Sequence, residues 1–87
     1  MSELLKNIID SNEEIEFLKA DGFDSALIGY EENTNRLIYS VDKCIDILIK
    51  QGMSVNTAIE YFYFNVHGAY VGENTPIWCD DTLKGYL

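Results

Sequence analysis

The sequence predicts an α+β domain: a small antiparallel sheet, made of a β-hairpin and a short third strand, packed on an αα-hairpin with a helix ahead of it. Three observations carry this. Between Ser40 and Gly68, apolar residues recur at helical spacing in two runs, each opened by a serine and closed by a glycine. Two strand-like runs, Ser25 to Glu31 and Arg36 to Tyr39, flank the polar segment Glu32-Asn33-Thr34-Asn35. Near the end of the chain, Pro76-Ile77-Trp78-Cys79 is a short apolar stretch behind a residue without an amide donor.

At the N-terminus, Leu4, Leu5, Ile8 and Ile9 stand four apart in pairs. Ser11-Asn12-Glu13-Glu14 then reads as a capping box ahead of Ile15, Phe17 and Leu18. One or two short helices ending near Asp21-Gly22 are expected. The hairpin follows, with a loop length and chemistry suited to a tight connection. Ala26-Leu27-Ile28 do not alternate with polar residues, which predicts a central strand covered on at least one face.

Ser40 offers a side-chain oxygen to the free amides of the next helix. Val41, Cys44, Ile45, Leu48 and Ile49 form the apolar face of that helix, Asp46 and Lys50 pair four apart outside it, and Gly52 supplies the stop. Ser54 starts a second helix whose buried stripe is Val55, Ala58, Ile59, Phe62 and Val66, closed by Gly68. Two helices joined this briefly form an αα-hairpin. Repeats, low-complexity tracts and linkers are absent, so residues 1–87 read as one domain: an acidic helical segment over 1–22 and an α+β core over 23–87.

The chain has 15 acidic and six basic residues, a net charge of -9. Such a surface repels nucleic acid and anionic lipid and attracts basic protein surfaces, though net charge also serves solubility alone. Glu3, Asp10, Glu13, Glu14, Glu16, Asp21 and Asp24 face only Lys6 and Lys19 in the first 24 residues, so the charge is concentrated there. An apolar content of 47% excludes wholesale disorder. No stretch is long and apolar enough to span a bilayer, and the first residues lack the pattern of a signal peptide, so a cytoplasmic protein is expected. Cys44 and Cys79 are expected to be thiols.

His67, Cys79 and Asp80, with Asp81 beside them and Cys44 if the fold brings it near, are candidate ligands for zinc or another divalent ion. Paired metal-ligand spacings are lacking, and the competing reading has His67 at a helix C-terminus, Cys79 in the core and both aspartates in solvent. A His67 and Cys79 nucleophilic pair has no third group to orient it, so no catalytic residue is assigned and a non-enzymatic protein is expected. Phosphate-binding glycine motifs and basic stripes are absent, which argues against direct nucleic-acid binding. The run Tyr61-Phe62-Tyr63-Phe64 cannot be buried on all sides of a helix. Some of these rings are core and others are candidates for a docking surface beside carboxylates.

Four blocks, Gly22-Phe23-Asp24-Ser25-Ala26-Leu27-Ile28-Gly29, Tyr39-Ser40-Val41-Asp42-Lys43-Cys44, Phe64-Asn65-Val66 and Gly68-Ala69-Tyr70-Val71-Gly72-Glu73-Asn74-Thr75-Pro76, resemble a group of small bacteriophage-encoded proteins of mostly unassigned function. In size and charge the chain is also similar to anti-CRISPR proteins. That likeness implies a monomeric, stoichiometric inhibitor of host defence in the host bacterial cytoplasm. Its partner would be a basic host protein, a CRISPR effector nuclease in the first place, whose nucleic-acid channel it fills with carboxylates in place of phosphates. Glu13, Glu14, Glu16, Asp21, Asp24, Glu31 and Glu32 are the expected contact residues. The alternatives are a small zinc-type metal-binding protein and a phage accessory protein that modulates another host enzyme.

Overall fold

A computed structural model describes residues 3–11, 17–68 and 72–82. In order these form α1 (Glu3–Ser11), a 3-10 turn (Asp24–Ala26), β1 (Leu27–Glu31), β2 (Arg36–Ser40), α2 (Val41–Lys50), α3 (Val55–Tyr61), a π-helical segment (Phe62–His67) and β3 (Ile77–Cys79). The α+β class is as the sequence predicts.

The αα-hairpin forms through its predicted caps. Ser40 Oγ accepts the Lys43 amide at 3.1 Å, and Ser54 Oγ accepts the Thr57 amide at 3.2 Å. Gly52, at φ 110°, lets the chain leave α2 through two closing bonds, from its own amide to Ile49 and from Met53 to Leu48. This is the paired pattern of a left-handed helix stop. Asp46 and Lys50 pair at 2.9 Å. On α2, Val41, Cys44, Ile45 and Leu48 are buried as expected. On α3 the buried residue is Ala58, whereas Val55 at the first helical position stays exposed, because the helix meets the core only from its second turn.

The sheet has the order β1-β2-β3, with β1 antiparallel to β2 and β3 parallel to it. Two expectations change here. The third strand makes the sheet mixed, because the αα-hairpin lies between β2 and β3 and supplies the long crossover that a parallel pairing needs. The central strand is β2, and β1 is an edge. The lack of alternation in Ala26-Leu27-Ile28 has a local cause: Ala26 belongs to the 3-10 turn, and a register shift between Leu27 and Gly29 leaves Ile28 as the extra residue of a bulge, exposed to solvent.

α1 packs on β1 through buried Leu5 and Ile8, with Leu4 and Ile9 on its outer side. Asn12, Glu13 and Glu14 of the expected capping box lie outside the described residues. Phe17 to Ala20, expected as helix, are irregular. One long-range bond and one turn bond hold the end of this segment: the Ala20 amide donates to Tyr39 Oη at 3.0 Å, and the Ala20 carbonyl accepts Phe23 N at 3.2 Å across a turn with Gly22 at φ 88°. The core joins Leu5 and Ile8, Leu37 and Tyr39 of β2, the apolar face of α2, and Phe62. Among the described residues no helix is long and apolar enough to cross a membrane.

Candidate functional site

The aromatic run divides as a helix requires, with an added twist from the π-helical segment. Phe62 is fully buried, Tyr63 is partly buried, Tyr61 is 42% exposed and Phe64 is 82% exposed. A π turn holds one more residue than an α turn, so the segment departs from the register that α3 sets. Gly68 completes it at close quarters: a Cβ there would lie 3.2 Å from the Tyr63 carbonyl oxygen. Phe62 meets Trp78 edge-to-face at 5.5 Å, and Trp78 in turn lies 5.4 Å from Tyr39, so β2, β3 and the π segment share one aromatic junction. The Trp78 indole nitrogen is buried there without a hydrogen-bond partner among the described residues; its neighbours include the rings of Tyr39, Phe62 and His67.

Phe64 is the most exposed of the large apolar side chains described, and Glu60, one turn before it, is also exposed. An exposed phenyl ring of this kind gains about 1.5–3 kcal/mol when a partner covers it. The sequence signalled this face through the density of its aromatic run. Which ring would be outermost depended on the π turn, which the residue pattern does not reveal.

Beside this face lies a groove of about 470 Å³. Leu18, Ala20 and Phe23 form one wall, Leu48 and Val66 line it from the helices, and Tyr61, Pro76 and Trp78 complete its apolar surface. Lys19, Asp21, Gln51 and Asn65 are its polar lining. Sequence reasoning did not find the groove, because its walls come from four segments far apart in the chain.

The predicted contact carboxylates are in different situations. Glu13, Glu14 and Glu16 lie outside the described residues. Asp21 and Glu32 are exposed, and Asp24 forms an ion pair with Lys19 at 3.5 Å. Glu31 turns back on its own hairpin loop. Its carboxylate accepts from the Thr34 hydroxyl at 2.6 Å, the Thr34 amide at 2.7 Å and the Asn33 amide at 2.9 Å, and these bonds, the Thr34 hydroxyl first, hold its carboxyl below the ordinary value. It therefore shapes the loop, and Glu32 beside it is the more accessible charge.

The candidate metal ligands are engaged separately. Asp80 accepts the Thr82 hydroxyl at 2.6 Å and the Thr82 amide at 3.1 Å, which lowers its carboxyl pKa. Asp81 reaches across to the start of α2. His67, at the end of the π segment, packs its ring 5.3 Å from Tyr63 and 6.0 Å from Phe62. Cys79 is half-buried in β3, and Cys44 lies in the core, where burial, with Asp81 adding to it, pushes its thiol up to about 12. Among the described residues no three histidine, cysteine or carboxylate groups come together as metal ligands, so His67, Cys79 and Asp80 do not form one centre.

No protein-family model, curated protein or solved structure matches this chain.

Proposed function

We propose that this protein is a non-enzymatic, phage-encoded inhibitor of host defence that acts as a monomer in the host bacterial cytoplasm by covering a basic surface of a partner protein. The observation that carries the binding role is Phe64, a solvent-exposed phenyl ring beside Glu60 on a chain of net charge -9. Aromatic side chains dominate the energetics of protein interfaces, while carboxylates around them accelerate encounter with a basic surface.

The partner of choice is a CRISPR effector nuclease. Its guide and target strands run in a positively charged channel, and an acidic protein seated there competes with phosphate for the same arginine and lysine side chains. The reading needs no chemical step, since occupancy alone blocks the channel. Its phage and host-defence elements rest on the family resemblance and on size and charge.

A target-cleavage assay with a reconstituted RNA-guided nuclease tests the proposal. Stoichiometric protein should suppress cleavage at low salt, and added salt should relieve the block as charges are screened. Unchanged cleavage at saturating protein overturns the nuclease as partner, and a block insensitive to salt overturns the electrostatic mechanism.

A further inference from the structure

The groove beside Tyr61 combines an apolar interior with negative charge at its edge. Asp21 lines it and is exposed, and Asp21 and Asp24 both act electrostatically on Tyr39, whose hydroxyl holds the groove-lining Ala20. Lys19, the cation of the lining, pairs with Asp24 at 3.5 Å, so Asp21 is the lining charge that no ion pair among the described residues offsets. At the mouth, Leu18 is 38% exposed and Tyr61 42%, so apolar surface continues outward from the groove on two sides. A volume of about 470 Å³ is in the range that holds a compact organic group, and the apolar lips extend the contact along a chain leading into it.

We propose that this groove is an anchor site for a basic polypeptide segment, taking one large apolar side chain of that segment while Asp21 faces a neighbouring lysine or arginine. The occupant follows from charge complementarity. Apolar walls reward burial of a leucine- or phenylalanine-sized side chain, and the Asp21 carboxylate on a chain of net charge -9 selects a cationic neighbour over an anionic one. This inference rests on the protein-binding role proposed above and assigns it a pocket whose lining does not include Phe64.

Trp78 is the single tryptophan of the chain and lines the groove, so its fluorescence reports occupancy directly. The probe is a set of short synthetic peptides titrated against the intact protein at low salt: one with four lysines around a central phenylalanine, one with alanine in place of that phenylalanine, and one with four glutamates around it. The phenylalanine-lysine peptide should change Trp78 emission saturably. The other two should bind about tenfold more weakly or less, since each lacks one of the two recognition elements.

Asp21→Asn should weaken the lysine peptide alone. Leu18→Glu should weaken binding while circular dichroism shows an unchanged fold. Equal titrations by the phenylalanine and alanine peptides overturn the anchor groove but leave charge-driven binding and the proposed function standing. Saturation by phenylethylamine with the affinity of the peptide overturns a polypeptide occupant in favour of a small amine. Absence of any response to the phenylalanine-lysine peptide also overturns the inference, whereas the nuclease assay judges the broader function by itself.

Discussion

Asp81 closes the N-terminus of α2 from outside that helix: Ser40 Oγ donates to its Oδ2 at 2.5 Å, and the Asp42 amide donates to its Oδ1 at 2.9 Å. Ser40 therefore does two things at once, since the same oxygen accepts the Lys43 amide as the helix cap. A carboxylate at this position also meets the positive end of the helix dipole. The segment after β3 is tied by these bonds to the segment after β2, across about half the length of the chain.

Replacing Asp81 by asparagine should cost about 1 kcal/mol at neutral pH, near the low end for charged hydrogen bonds because the carboxylate is solvent-exposed. Burial by itself raises this carboxyl, but the bonds from Ser40 and the Asp42 amide outweigh it and hold the group below its ordinary value. A depressed folded-state value means that the contribution is complete above the unfolded value and fades as pH falls through the folded one. Urea midpoints of the two proteins should therefore differ at pH 7 and converge in acid, once pH has fallen through the depressed folded value.

Glu31→Gln removes the charge that organises the hairpin loop. The variant should lower the denaturation midpoint at neutral pH and leave it nearly unchanged in acid, where the native carboxylate is itself protonated; the depressed folded-state value fixes that sign. Amide resonances of Asn33 and Thr34 should shift more than any others, and an unperturbed loop would refute the role assigned to this carboxylate.

Tyr39→Phe deletes the hydroxyl oxygen that accepts the Ala20 amide and should destabilise by about 1–2 kcal/mol. The sharper readout is local. Hydrogen exchange at Ala20 should rise by more than global stability falls, because this bond pins an otherwise irregular segment.

Cys44, with its thiol near 12, should resist alkylation at pH 8 in the native protein and react only after denaturation. Cys44→Ser should cost about 1–3 kcal/mol by placing a hydroxyl in an apolar site. Labelling of native Cys44 at the rate of a free thiol would mean that the core opens readily.

Phe64→Ser and Glu60→Lys should each leave stability within about 0.5 kcal/mol of the parent, since both side chains are exposed. In the cleavage assay both should weaken inhibition, Phe64→Ser by about tenfold or more. A fully active Phe64→Ser protein would remove this ring from the interface.

The αα-hairpin was legible because its signals are local: Ser40, Ser54 and Gly52 act on amides and carbonyls within one turn of themselves. Strand order was not. Whether Ile28 lies in a central strand or in an edge bulge is decided by its partner strand, and the parallel direction of β3 is decided by the helices that precede it. The same holds for Phe17–Ala20, where Tyr39, nineteen residues after Ala20, overrides local helical pattern. Among the functional residues, exposed aromatics could be anticipated but the groove could not, since Leu18, Leu48, Tyr61 and Trp78 carry no pattern that links them. Carboxylate counting located the charge, yet Glu31 and Asp81 show that an acidic side chain can be committed to scaffolding while its neighbour remains open to solvent.

The parallel pairing of β3 with β2 also bears on how the molecule is made. In chain order β1, β2 and the two helices precede residues 77–82, which supply β3, Trp78 for the aromatic junction and Asp81 for the start of α2. Without those residues Ile38 to Ser40 of β2 would have one edge bare, and the rings of Tyr39 and Phe62 would lack their shared cover. The pairing of β3 with β2 closes a loop of about forty residues, so it is the costly long-range step that joins the local hairpins into one sheet.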